Sequence, residues 1–246
     1  MVETANPSLE RLKGLSFADF LGRYSSKAYT SPILGFGSVF TVTTEPTYPE
    51  KLNEITVRGG IHVAVAGGLD PALAQIGHAV PDFTILCDVN MHAIHLLNQR
   101  LILLDQAESG REYWSLLSRL IKNDPRLSFN LPTVVSDRDY KVGGWSSEQY
   151  FDIVKNSWQQ GKIKHIRADI TSDGIETALK VAQDTGIPIK LIYLSNIFDE
   201  PSNRLHLTAF RSVLDRAISE GLLDPSAQMV TTSIYEGMET KVLSVK

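Results

Sequence analysis

Three aspartates stand where short apolar runs end: Asp70 just after the Gly67-Gly68 pair, Asp88 after FTILC, and Asp169 after IKHIRA. In an α/β chain, such positions are where the backbone leaves the sheet and side chains can meet a ligand. Gly67 and Gly68 let the chain turn sharply and admit a ligand against bare main chain, because neither carries a Cβ. Asp88 follows them by roughly twenty residues, the spacing at which an acidic side chain accepts both hydroxyls of a ribose in nucleoside-binding folds. Asp169 has the chemistry to accept a hydrogen bond from the exocyclic amine of adenine. Simpler roles stand beside these: a tight turn at Gly67-Gly68, a helix cap at Asp88, and a turn or cap before Thr171-Ser172-Asp173 at Asp169.

The type of nucleoside follows from charge. The G-x-G-x-x-G pattern that holds a pyrophosphate on a helix N-terminus is absent, and so is the G-x-x-x-x-G-K-[ST] phosphate loop. The glycine turn runs instead into Asp70, whose carboxylate repels phosphate and suits an ammonium or sulfonium. S-adenosylmethionine carries both.

A second group of candidates lies in IYLSNIFDE. Ser195 and Asn196 would face the ligand, Phe198 can stack on a ring, and Asp199 is a candidate base. His206, slightly further on, is a second acid/base candidate. The alternative is a loop whose polar groups satisfy its own backbone. His92 and His95 have a helical spacing that brings two imidazoles together, but no third and fourth ligand accompanies them, so no metal is expected. Tyr24 and Tyr29 either close over a ligand or simply pack.

The elements that must position these residues are strands alternating with helices. Strands are expected at 61–66, 83–87, 163–167, 189–194, 228–234 and 240–245. Helices are expected at 71–78, 90–106, 111–122, 146–160 and 204–220, with a further one capped by Asp173 and ended by Gly186. Asp70 reads as the N-cap of the first of these, with Pro71 at its first helical position. This alternation implies a Rossmann-like three-layer sandwich around a mainly parallel sheet. Residues 1–54 read as an N-terminal arm or lid, with a helix at 16–24 capped by Ser16 and a strand at 39–43. Residues 55–246 form the Rossmann-like domain, with an insertion at about 107–146.

Composition narrows the partners. The chain has 246 residues, 43% hydrophobic and 21% charged, enough to bury a substantial core. A net charge of −4 and no Lys/Arg cluster longer than a pair argue against nucleic acid as partner. Cys87 is the only cysteine, which excludes an internal disulfide and a cysteine-based zinc site. No run approaches the roughly 18 apolar residues of a membrane span, and the polar N-terminus lacks a signal-peptide core, so the cytoplasm is expected. A homodimer is compatible with the sequence, although no feature selects it.

AGGLDPALAQIG, ILCDVNMHAIHLLNQRLILL, RADI and IYLSNIFDE together resemble the class I S-adenosylmethionine-dependent methyltransferase fold. Over about residues 55–235 they are most similar to the betaine-lipid 3-amino-3-carboxypropyl transferase-like branch. The resemblance implies that Gly67, Gly68 and Asp70 line the methionine part of the cofactor and that Asp88 binds the ribose with Asn90 beside it. It also implies that Asp169 approaches the adenine and that Ser195 and Asn196 border the reacting centre. The chain after the fifth strand leaves little room for the last helix and antiparallel hairpin of that fold. The expected function is transfer of a methyl or 3-amino-3-carboxypropyl group to a small or lipid-like acceptor. A non-catalytic binding protein is the alternative, and a dehydrogenase is disfavoured by the missing third glycine.

Overall fold

The computed structural model describes residues 6–25, 51–66, 69–123, 148–195, 201–233 and 239–245. Its centre is a six-stranded sheet in the order β3-β2-β1-β4-β5-β6. The strands are β1 (Ile61–Val65), β2 (Phe83–Asp88), β3 (Ile163–Arg167), β4 (Ile189–Ser195), β5 (Leu223–Ser233) and β6 (Glu239–Ser244). The first five are parallel, and β6 runs antiparallel to β5.

Eight α-helices among the described residues cover the two faces. On one face lie α3 (Leu69–Ala79), α4 (Met91–Gln106), α5 (Gly110–Asn123) and α6 (Glu148–Gln159), packed on Ala64, Leu86, Leu191 and Tyr193. On the other lie α1 (Pro7–Lys13), α2 (Phe17–Tyr24), α7 (Ile175–Thr185) and α8 (Pro201–Ser219), packed on Val63, Ile85, Cys87, Ile192 and Leu194. Alternate residues of each strand thus enter opposite cores, which is why β2 is buried along its whole length. The expected Rossmann-like three-layer architecture is the one observed.

Several local expectations need correction. Helix α3 begins at Leu69, so Asp70 lies within its first turn instead of capping it, and Pro71 follows in that turn, where its missing N–H has no partner to lose. Asp173 does not cap α7 either. It lies in a π-helical turn, Ile170–Gly174, whose N-cap is Asp169, and α7 starts from Gly174 with no side-chain cap. Room for an antiparallel hairpin does exist: six residues of β6 pair with β5 from Gln228↔Ser244 to Ser233↔Glu239.

The N-terminal segment contributes to the core. Asn6 caps α1 through the N–H groups of Ser8 and Leu9, and Ser16 caps α2 through Asp19. Leu12 and Phe20 are buried against the sheet and α7. Tyr24 is buried with them and donates its hydroxyl to Asp184 at 3.1 Å, so it packs and does not close over a ligand. The strand expected at 39–43, Tyr29, and residues 124–146 of the expected insertion lie outside the described residues.

Candidate functional site

The order of the sheet reverses between β1 and β4. β2 and β3 extend it on one side of β1, and the chain then crosses to the other side to form β4. In open α/β sheets the crevice beyond the carboxyl ends at such a reversal is the usual ligand position. Four strands bring residues there: Ala66 just past β1, Asp88 at the end of β2, Arg167 at the end of β3 with Asp169 two residues beyond, and Ser195 at the end of β4. Hydrogen bonds prolong the ladder beyond the strands, from Ala66 N to Cys87 O at 2.8 Å and from Ala168 N to Asp88 O at 3.0 Å. The rim is therefore a continuous edge.

Asp88 is 9% exposed, and its Oδ1 accepts the N–H of Asn90 at 2.8 Å. Asn90 precedes α4 and accepts from Ile94 N through its carbonyl at 3.1 Å. The carboxylate therefore supports the helix entry while standing at the rim. Asp169 is half-buried; its Oδ1 accepts both the N–H and the hydroxyl of Thr171 at 2.8 Å. Among the described residues no hydrogen bond uses its Oδ2. Cys87 immediately precedes Asp88 on β2. Burial, with the negative charges of Asp88 and Asp169 adding to it, pushes this thiol well above its ordinary range, so it is inert at neutral pH.

Two features of the rim were not legible in the sequence. Arg167 is the register partner of Asp88, and its Nε–H donates to Val89 O at 3.2 Å, which sets a guanidinium beside the acidic edge. Ser195 has φ of 51°, and the β4–β5 register shifts between Tyr193 and Ser195. A left-handed non-glycine residue at a bulge re-aims the chain, and such strain concentrates at functional edges. Serine gives little hint of this, because the bulge depends on the neighbouring strand.

Other candidates fall elsewhere. Gly67, Gly68, Asn196, Phe198 and Asp199 lie outside the described residues. Asp70 is in the first turn of α3 and His206 in α8, while their side chains, like that of His92, lie outside the described residues. His95 is exposed on α4, and no cluster with metal-ligand character occurs among the described residues.

No family model matches this chain, and no curated protein resembles it in sequence. Among solved structures it is similar to the rRNA methyltransferase aviRa from Streptomyces viridochromogenes, at 12% identity and a TM-score of 0.39. That match covers 94% of this chain and 83% of the other. The fold assignment rests on the strand order and directions themselves. No helix among the described residues is long and apolar enough to cross a membrane.

Proposed function

We propose that this chain is an S-adenosylmethionine-dependent transferase whose cofactor lies along the carboxyl rim. The observation that carries the reading is the pair of carboxylates, Asp88 and Asp169, at the ends of neighbouring strands beside the sheet reversal. Such a pair suits an adenosine: Asp88 accepts from the ribose hydroxyls, and Asp169 Oδ2 accepts from the adenine amine. An acidic edge of this kind disfavours a pyrophosphate, which needs N–H donors and positive charge. The antiparallel β6 adds support, since the resembled methyltransferase fold ends in such a hairpin.

Gly67, Gly68 and Asp70 then receive the methionine end, with the Asp70 carboxylate facing its ammonium. When bound, the cofactor supplies an electrophilic carbon attached to a sulfonium. The protein's task is chiefly to hold an acceptor nucleophile in line with that carbon, and positioning of this kind supplies much of the rate. Ser195 and Asn196 border the reacting centre, and Asp199 and His206 are the groups to take a proton from an alcohol or amine. A methyl or a 3-amino-3-carboxypropyl group is transferred. The acceptor is a small or lipid-like molecule, in keeping with the net charge of −4, which is a poor match for nucleic acid.

Calorimetric titration tests this. Wild type is expected to bind S-adenosylmethionine and S-adenosylhomocysteine but not NAD. Asp88→Ala is expected to lose about 2 kcal/mol or more of that affinity, the order of a charged hydrogen-bonding partner. A wild-type chain that takes up neither adenosyl ligand would sink the reading.

A further inference from the structure

We infer that Gly174 is a positioning residue for the adenine end of the site: its lack of a side chain lets the turn after β3 close onto Cys87 and so fixes Asp88 and Asp169 relative to one another. The inference rests on the reading of Asp169 as the adenine-amine acceptor and adds a residue that touches no ligand itself.

The backbone gives no reason for glycine at this position. Gly174 has φ of −65° and ψ of −53°, ordinary right-handed helical values open to every L-residue. As the N-cap of α7, glycine is tolerated but supplies no side-chain acceptor to the first turn, where Ser, Thr, Asn or Asp would. What glycine avoids is a tight contact that its neighbours would have to relieve by a few tenths of an ångström. A methyl carbon built on Gly174 would lie 3.0 Å from the Asp169 carbonyl oxygen and 3.0 Å from Cys87 Sγ. Neither neighbour is a flexible side-chain tip. The carbonyl belongs to the turn itself, where it accepts from Ser172 N at 3.2 Å and from Gly174 N at 2.8 Å. The sulfur is fully buried in the core between β2 and α7.

A side chain at 174 can therefore be accommodated in two ways. The Asp169 peptide can rotate out of its two hydrogen bonds, which swings the carboxylate away from the rim. Alternatively the end of β2 can shift, which moves Asp88, the residue next to Cys87. Either route separates the two acids. The turn is π-helical, a rare conformation that recurs at functional sites. Its geometry is further pinned by Asp169 Oδ1, which holds both the N–H and the hydroxyl of Thr171. The Asp169 carbonyl and the Cys87 thiol thus meet around one absent side chain, while the Asp169 carboxylate is held by Thr171.

The test uses the ligand pair S-adenosylhomocysteine and S-inosylhomocysteine, which differ at the position of the exocyclic amine. Affinities are measured by calorimetry on wild type, Gly174→Ala, Gly174→Ala combined with Cys87→Ala, and Thr171→Val, with thermal unfolding as the check on folding. Wild type is expected to prefer the adenosyl ligand by about tenfold or more, the order of one charge-assisted hydrogen bond. Gly174→Ala should bind about tenfold more weakly and discriminate by no more than about twofold. Removing the Cys87 sulfur in the same chain should restore part of the affinity, because the end of β2 regains room; no recovery would show that the contact with Cys87 plays no part. Thr171→Val, nearly isosteric and therefore safe for folding, should reduce discrimination by a few-fold.

A folded Gly174→Ala chain that keeps the wild-type preference overturns the inference. If that variant does not fold, an unchanged preference in Thr171→Val overturns it. Wild type that binds neither ligand sinks the cofactor reading itself. Wild type that binds both alike sinks the adenine role of Asp169. Both results differ from a failure confined to Gly174.

Discussion

His62 lies fully buried in β1 beneath α3, where its Nε2–H donates to Gln75 Oε1 at 2.9 Å and its Nδ1 meets no partner among the described residues. Burial lowers its pKa from 6.5 to about 4, because a charged imidazole there would lose its water. His165, buried and stacked on Phe17 at 4.4 Å, is lowered to about 4 by burial and by the charge of Lys164. The unfolded chain therefore binds these protons at a higher pH than the folded one. Stability is complete above pH 6.5 and is lost as pH falls toward 4. For His62 this amounts to roughly 2 kcal/mol between pH 7.5 and pH 5. Urea denaturation should show His62→Leu losing about 2 kcal/mol less than wild type over that interval. Equal losses would contradict the burial of a neutral histidine. In the sequence His62 is one polar letter in IHVAV, and its burial follows only from helices on both faces of the sheet. Asp88 and Asp169 were legible because an acid ending an apolar run stands out by itself. Arg167 and Gly174 were not, because their meaning lies in what packs beside them.

Helices α3 and α6 approach closely at Gly77. A methyl group there would sit 2.6 Å from the Tyr150 Cβ and 2.8 Å from its Cγ. Tyr150 is also fixed from its far end, with its hydroxyl 3.1 Å from His78 Nδ1, and His78 Nε2 lies 3.0 Å from Ile55 O. Alanine would favour the helix by up to about 1 kcal/mol, but overpacking of this kind costs about 1–3 kcal/mol. Gly77→Ala should therefore lower the unfolding free energy by roughly 1–2 kcal/mol, and an equally stable variant would contradict the close approach. The elements themselves were mostly readable. The β-branched runs of β1, β2 and β4 are stopped by glycine, proline or polar residues, and α4 carries its leucines on one face. The misreadings share a cause, which is that short polar residues cap helices and also occupy turns. Asp173 looks like a cap yet sits in a π-turn whose bonding pattern leaves no sequence signature. The reverse holds at Asn6-Pro7, a proper cap in a segment that reads in the sequence only as part of an arm or lid.

For the molecule as a whole, the sheet order separates two rims. Both acids, Arg167 and the bulged Ser195 fall at the carboxyl rim, and α1 and α2 close one face of the sheet by burying Leu12 and Phe20. Alternation of strands and helices was enough to foresee this architecture, because a sheet with helices on both faces has few workable connections. The contribution of the first two helices was not foreseeable, since only the assembled sheet offers the apolar surface that they cover. The proposed function puts an adenosyl cofactor along the carboxyl rim across β1, β2 and β3. A crystal structure of the protein with S-adenosylhomocysteine tests it most directly. Ribose density is expected against the Asp88 carboxylate, with the adenine amine within hydrogen-bond distance of Asp169. Ligand density at the amino end of the sheet, or a carboxyl rim left empty in crystals saturated with the ligand, would contradict it.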